Sequence, residues 1–219
     1  MARRADRLQS ISDEIAASGG RAFAVSADLS EPRAPWVVVE SVLEARGRVD
    51  VIVNNAAAFR LKPIGDFTLD DFDAVVAVNL RAPYFLVQAA LPALRKSSGA
   101  VVVNVSSAAA VMYRPNQTVY GLAKAALEHM TMNMAAELAP ERIRVACVRP
   151  GPVRTEFYLG AEDSDERLRT LGKLTPLGRM GEPEEIALWI WHLVDPAAAW
   201  VTGAIMSVDG GRILGPPGA

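Results

Sequence analysis

Tyr120 and Lys124 stand four residues apart in Val119-Tyr120-Gly121-Leu122-Ala123-Lys124, at the start of a stretch rich in Ala, Leu and Met at helical spacing. On a helix that interval puts both side chains on one face, one turn apart. An ammonium beside a phenol favours the phenolate and lowers its pKa from about 10 toward neutrality. Tyr120 can then act as general acid toward a carbonyl oxygen, or as general base toward an alcohol. Ser107 follows the apolar run Val101-Val102-Val103 and can hydrogen-bond the same oxygen as charge develops on it. Such a site lacks only a hydride partner, which side chains cannot supply and a nicotinamide cofactor can. Taken alone, the Tyr–Lys pair reads more readily as a surface contact, and Ser106-Ser107 as an ordinary loop start. The rest of the chain must choose.

The elements that would position these groups alternate along the chain. Leu8, Ile11 and Ile15 repeat at helical spacing, and Gly19-Gly20 ends that helix. Arg21–Ala27 alternates like a strand and leads into Asp28-Leu29-Ser30; Trp36–Ala45 reads as a short helix closed by Gly47. Val49–Val53 is a buried strand running into Asn54-Asn55-Ala56-Ala57. Thr68-Leu69-Asp70-Asp71 resembles a capping box with Asp in place of Glu, opening a long helix through Arg95 that Pro83 bends. After the strand at Val101 and the helix from Val119 comes a strand at Ile143–Val148, ending in Arg149-Pro150-Gly151. A polar segment at Tyr158–Gly172, a helix at Pro183–Leu193 and a strand at Ala204–Val208 complete the order, before the turn Asp209-Gly210-Gly211. Strands alternating with helices predict an α/β fold with a mostly parallel sheet. Such sheets bind ligands at the carboxyl ends of their strands. Asp28, Asn54-Asn55, Ser107 and Arg149-Pro150-Gly151 all fall there, which predicts a binding crevice on one rim.

Composition narrows the function classes. A chain of 219 residues, 51% hydrophobic, can bury a substantial core and is not of disordered type. A net charge of -2 offers no electrostatic case for nucleic acid or for an anionic membrane. Cys147 is the one cysteine and sits in the apolar run Ile143–Val148, the setting of an inert buried thiol. Glu128, His129, Glu137 and His192 show no ligand spacing, so no metal is assigned. Met1-Ala2-Arg3-Arg4 does not lead into an apolar signal core, and no apolar run reads as long enough to span a membrane. A cytoplasmic protein is expected.

In order and spacing, several of these pieces resemble the short-chain dehydrogenase/reductase family, over about Ala2 to Gly211. They are Asn54-Asn55-Ala56-Ala57 after a strand, Asn79 in Val78-Asn79-Leu80, Ser107, and Tyr120 with Lys124. Pro150-Gly151-Pro152-Val153-Arg154-Thr155 and the ending Val201–Gly211 complete the set. The look is that of the 3-oxoacyl-carrier-protein reductase and sugar or steroid dehydrogenase branch. The resemblance implies one three-layer, doubly wound Rossmann-like domain over 1–219 and NAD(P)-dependent interconversion of a carbonyl and an alcohol. Tyr120 would be the acid/base, Lys124 would bind the nicotinamide ribose and depress the tyrosine pKa, and Ser107 would hold the substrate carbonyl. Ser106 is a rival for that last role, although the family interval to the tyrosine favours Ser107. Asn79 would position a water in a proton relay; without the family pattern it reads as a polar residue that hydrogen-bonds or disturbs its helix. Asp28 and Leu29 would flank the adenine, Asn55 and Ala56 would lie along a cofactor ribose, and Pro150, Gly151, Val153 and Thr155 would meet the nicotinamide. Residues 156–180 would form a substrate lid. Tyr113 and Phe157 are either lining of an apolar substrate pocket or packing residues.

The resemblance breaks in two places. Ala57 stands where the family has Gly, a small change. The family's first strand, Gly-rich turn, first helix and most of its second strand have no counterpart, and that turn cradles the cofactor pyrophosphate. Arg21–Ala27 is then expected to pair beside Val49–Val53, to find a partner chain, or to stay unpaired. In a complete member Arg3 and Arg4 would lie near an adenosine 2′-phosphate, which favours NADP(H) over NAD(H). By resemblance a homodimer or homotetramer is expected through the helices carrying Asn79 and Tyr120. A second reading stays open: a non-catalytic, shortened relative that acts only through oligomeric contacts.

Overall fold

The computed structural model describes residues 5–155 and 165–215. Arg3, Arg4, Phe157 and Tyr158 lie outside these residues. Four parallel strands form one sheet in the order β1 (Val51–Asn54), β2 (Val101–Val105), β3 (Arg144–Pro150) and β4 (Ile205–Val208). β2 is buried at all five positions, as its run of valines demands for a strand covered on both faces. The alternation of side chains sorts the core into two layers. Val102 and Val145 face Leu86, Ala90 and Leu94, whereas Val101, Val103, Ala146 and Val148 face Ile186 and Leu193.

The helices are α1 (Ala5–Ala17), α2 (Ala34–Arg46), α3 (Leu69–Val76), α4 (Ala82–Leu94), α5 (Thr118–Leu138), α6 (Asp165–Lys173) and α7 (Pro183–Val194). Gly47 closes α2 in the left-handed region at φ 72°, its N–H on the Leu43 carbonyl. Thr68 caps α3 as its sequence implies: its hydroxyl accepts from the Asp71 amide at 3.1 Å, and the Asp71 carboxylate accepts from the Thr68 amide at 3.3 Å.

Three elements differ from expectation. The long helix from Thr68 is neither uniform nor simply bent at Pro83; a π-helical segment, Ala77–Arg81, joins α3 to α4. Pro83 has no N–H and its ring excludes the carbonyl four residues earlier. The Ala82 amide reaches back five residues instead, to the Ala77 carbonyl. This helical rod, Leu69–Leu94, also corrects the membrane expectation. By length and composition alone it could cross a bilayer: it has 26 residues and contains an 18-residue window of mean hydropathy 1.4, although 44% of that window is buried within the protein. Arg21–Ala27 forms no extended strand; only Ser26 makes an isolated bridge, and among the described residues the sheet ends at β1. Val25 and Ala27 pack on the layer beneath α2 and α4, but alternation makes a strand only where a neighbour shares its hydrogen bonds. Within the segment read as merely polar, α6 forms and buries Leu168.

Candidate active site

β2 delivers Ser106 and Ser107 to the carboxyl rim of the sheet. The Ser106 amide still bonds to the Val148 carbonyl at 2.8 Å, so the hydrogen bonding to β3 continues one residue past the end of β2. Ser107 then caps the turn Ala108–Ala110, its hydroxyl accepting from the Ala109 amide at 3.2 Å. That turn lies directly on the first turn of α5. Gly121 permits the approach, because a Cβ there would stand 2.8 Å from the Ala109 carbonyl oxygen. The small residue after Tyr120 thus brings the Ser107 loop against the Tyr120 turn.

Tyr120 and Lys124 share one face of α5, both buried, at 8% and 2% exposure. The Lys124 ammonium donates to the Val105 carbonyl at 2.8 Å and lies 5.8 Å from the centroid of the Tyr120 ring. Burial brings the Lys124 pKa down to about 8, only partly opposed by the charge of the Cys147 thiolate form. The ammonium is still the main form at neutral pH. Burial pushes the Cys147 thiol up to about 12, with the Glu128 charge adding to it, so Cys147 is a neutral, inaccessible thiol.

The two serines point to different places. Ser106 is turned inward, donating to Glu128 at 2.7 Å and to the Lys124 carbonyl at 3.3 Å. Ser107 lines a narrow crevice together with Tyr120, Phe59, Gly151 and Pro152. Asn79 is fully buried in the π-helical segment; its amide donates to the Ala58 carbonyl at 2.7 Å and the Val75 carbonyl at 2.8 Å. Among the described residues its Oδ1 has no hydrogen-bond partner, a costly state for a buried acceptor that a water or another donor would relieve.

A second cavity, about 880 Å³, opens along the carboxyl end of β1. Asp28, Leu29, Asn55 and Ala56 all stand in its wall. Asp28 is shaped by its own loop, its carboxylate accepting from the Ser30 amide at 2.9 Å and the Ser30 hydroxyl at 2.7 Å. Asn54 does structural work, donating to Asn104 at 2.8 Å, which in turn donates to Thr131 on α5 at 2.9 Å. Phe59 belongs to both cavities and meets the Tyr120 ring edge-on at 4.8 Å, so the groove and the crevice adjoin.

Of Pro150, Gly151, Val153 and Thr155, only Gly151 lines the crevice. It packs so closely on the following strand that a Cβ would come within 2.7 Å of the Asp209 backbone. Pro150, Val153 and Thr155 line neither cavity. Val153 turns into the core beside Ile186 and bridges Gly181, and the Thr155 hydroxyl reaches back to the Val153 carbonyl at 3.4 Å. Tyr113 is 95% exposed, neither packed nor lining the crevice.

Sequence reasoning missed the support beneath Tyr120 and Lys124. Arg149 grips the Glu128 carboxylate with both arms, at 2.7 and 2.6 Å, and donates to Ser207 on β4 at 3.0 Å. The Glu128 contact raises the guanidinium's pKa further. The signal available was spacing: Glu128 falls four residues after Lys124, on the same helix face. Phe59 carried no signal, since a loop aromatic has no periodicity to read.

A family profile described as enoyl-(acyl carrier protein) reductase matches residues 1–212. The chain is 34% identical over 209 residues to the 7alpha-hydroxysteroid dehydrogenase of Escherichia coli strain K12, covering 95% of this chain and 81% of the relative. It is 38% identical over 178 residues to the 3-oxoacyl-[acyl-carrier-protein] reductase FabG of Thermotoga maritima, covering 81% of this chain and 71% of that one. The crystal structure of the angucycline C-6 ketoreductase LanV with bound NADP superposes with a TM-score of 0.90 at 34% identity, over 98% of this chain and 84% of that chain.

Proposed function

The chain belongs to the short-chain dehydrogenase/reductase family and is an oxidoreductase, and we propose that it interconverts a carbonyl and an alcohol with Tyr120 as the proton-transferring group. The observation that carries this reading is the crevice that holds Ser107 and Tyr120 with the buried Lys124 ammonium behind the ring. The Tyr120 hydroxyl donates to the carbonyl oxygen in reduction and takes the proton back in oxidation. Ser107 hydrogen-bonds the same oxygen as its negative charge grows. Lys124, cationic at neutral pH and shielded from water, favours the phenolate and so brings the proton transfer into a useful range.

The groove along β1 suits a nicotinamide dinucleotide in size and place: about 880 Å³, at the strand ends, adjoining the crevice through Phe59. Asp28 and Leu29 would hold its adenosine end, and Asn55, Ala56 and Gly151 the end nearer Tyr120. When bound, the cofactor supplies or accepts the hydride. We favour NADP(H), supported by Arg3 and Arg4 in the sequence and by the NADP-bound ketoreductase neighbour. Asn79 we assign to a positioning role, through a water on its Oδ1. A homodimer through α4 and α5 is supported by the half-exposed Tyr84, Leu122 and Met132 on those helices.

Tyr120→Phe tests the central assignment. Turnover of ketone and alcohol substrates should fall by about 10²- to 10⁴-fold, the usual worth of a positioned acid/base, with the melting temperature preserved. Near wild-type turnover in that variant would refute it.

A further inference from the structure

We propose that the substrate carries an anionic group, a carboxylate or a phosphate, in addition to its carbonyl or hydroxyl, and that Arg114 binds it. The inference rests on the oxidoreductase reading of the Ser107–Tyr120 crevice. Among the described residues, the wall of that crevice includes two guanidinium groups, Arg114 and Arg212, and the amide of Gln117, but no Asp or Glu. Arg212 is buried and fixed, donating to the Leu174 carbonyl at 2.9 Å. Arg114 is half-buried and forms no ion pair among the described residues.

In this Arg114 differs from three arginines that are each held by a carboxylate. Arg95 grips Glu141, Arg149 grips Glu128 and Arg179 grips Glu185. A guanidinium is planar, permanently charged and shaped for two parallel bonds to a carboxylate or phosphate. Held in a partly dry crevice beside the reacting groups, its natural counterion is one that arrives with the substrate. The loop that carries it is pinned: the Gln117 amide bonds to the Arg114 carbonyl at 3.3 Å, and the Lys62 amide to the Asn116 carbonyl at 3.2 Å. Asn116, at φ 65°, accepts the left-handed backbone this turn requires. A neutral substrate would leave the Arg114 guanidinium facing it without a counterion.

Matched pairs of substrates test this: levulinate against its methyl ester, and dihydroxyacetone phosphate against dihydroxyacetone. In the wild type, kcat/KM should favour the anionic member of at least one pair by about 10- to 100-fold, the range of one charge-assisted hydrogen bond. Which pair shows the preference separates carboxylate from phosphate. In Arg114→Met the ratio should collapse toward one, while Arg114→Lys should keep part of it. Tyr120→Phe should lower both members of each pair and leave the ratio alone. A wild-type ratio near one in both pairs overturns the proposal, as does a preference that survives in Arg114→Met. If no compound is turned over, the oxidoreductase reading fails separately. Thermal shifts then decide the anion site: stabilisation by levulinate or dihydroxyacetone phosphate but not by the neutral partners, lost in Arg114→Met, upholds it. No shift with either anion sinks it.

Discussion

Behind Tyr120, polar groups form one buried chain: Ser106 to Glu128, Glu128 to Arg149, Arg149 to Ser207, tying α5 to β3 and β4. At the other end of the cleft Asp28, Asn55 and Ala56 stand on loops around an open groove. There the β1 edge leaves Val51 and Val53 37% and 42% exposed. The first region holds reacting atoms still against α5; the second is a surface that a ligand must complete. The difference teaches where a substitution will be felt. Within the chain behind Tyr120 it should register in stability as well as rate, and near Asp28 in cofactor binding with the smaller change in stability.

The sharpest way to break this contrast is to cut the buried chain. Arg149→Met strands the Glu128 carboxylate at 9% side-chain exposure and should cost about 3–5 kcal/mol in urea unfolding. Glu128→Met combined with Arg149→Met should recover most of that loss, because two desolvated charges have been removed together. If Arg149→Met proves neutral, the rigid end is not rigid for the reason given.

A second measurement concerns Lys124, whose folded pKa of about 8 lies below the 10.5 of an exposed lysine. Between those values the unfolded chain binds more protons than the folded one, so stability should rise as pH climbs through that window. The Lys124 contribution should reach about 3 kcal/mol and is read as the difference between wild type and Lys124→Met, because above pH 9 the raised Cys147 thiol acts in the opposite direction in both proteins. A difference that stays flat from pH 8 to 10.5 would show that the ammonium is better solvated than its 2% exposure implies.

The smallest effect is expected at the open end. Asp28→Ala loses at least the two bonds to Ser30 and should cost about 1–3 kcal/mol, the worth of two such bonds, while raising KM for the nicotinamide cofactor more than it lowers kcat. A large stability loss there would erase the distinction between the two regions.

Legibility followed the range of the interactions. Thr68 with Asp71, Gly47, and the valines of β2 announced a cap, a stop and a buried strand because each is a local matter of a few neighbouring residues. Lys124 one turn after Tyr120 was equally plain. Arg21–Ala27 misled because alternation reports a half-buried segment and not its partner. α6 was missed because two leucines, Leu168 and Leu171, are a thin stripe among charges.

By itself the chain's order of residues settled the α/β alternation, the helix-borne Tyr–Lys pair and the strand-end serines, since periodicity and turn chemistry are written within one or two turns. Only the tertiary structure decided that Ser107 faces the crevice while Ser106 faces Glu128, and that Arg149 closes on Glu128 across 21 positions. It alone brought Phe59 and Arg114 to the walls around Tyr120. The reason is physical: sequence spacing specifies which way a side chain leaves its own element, but what it meets depends on how the elements pack.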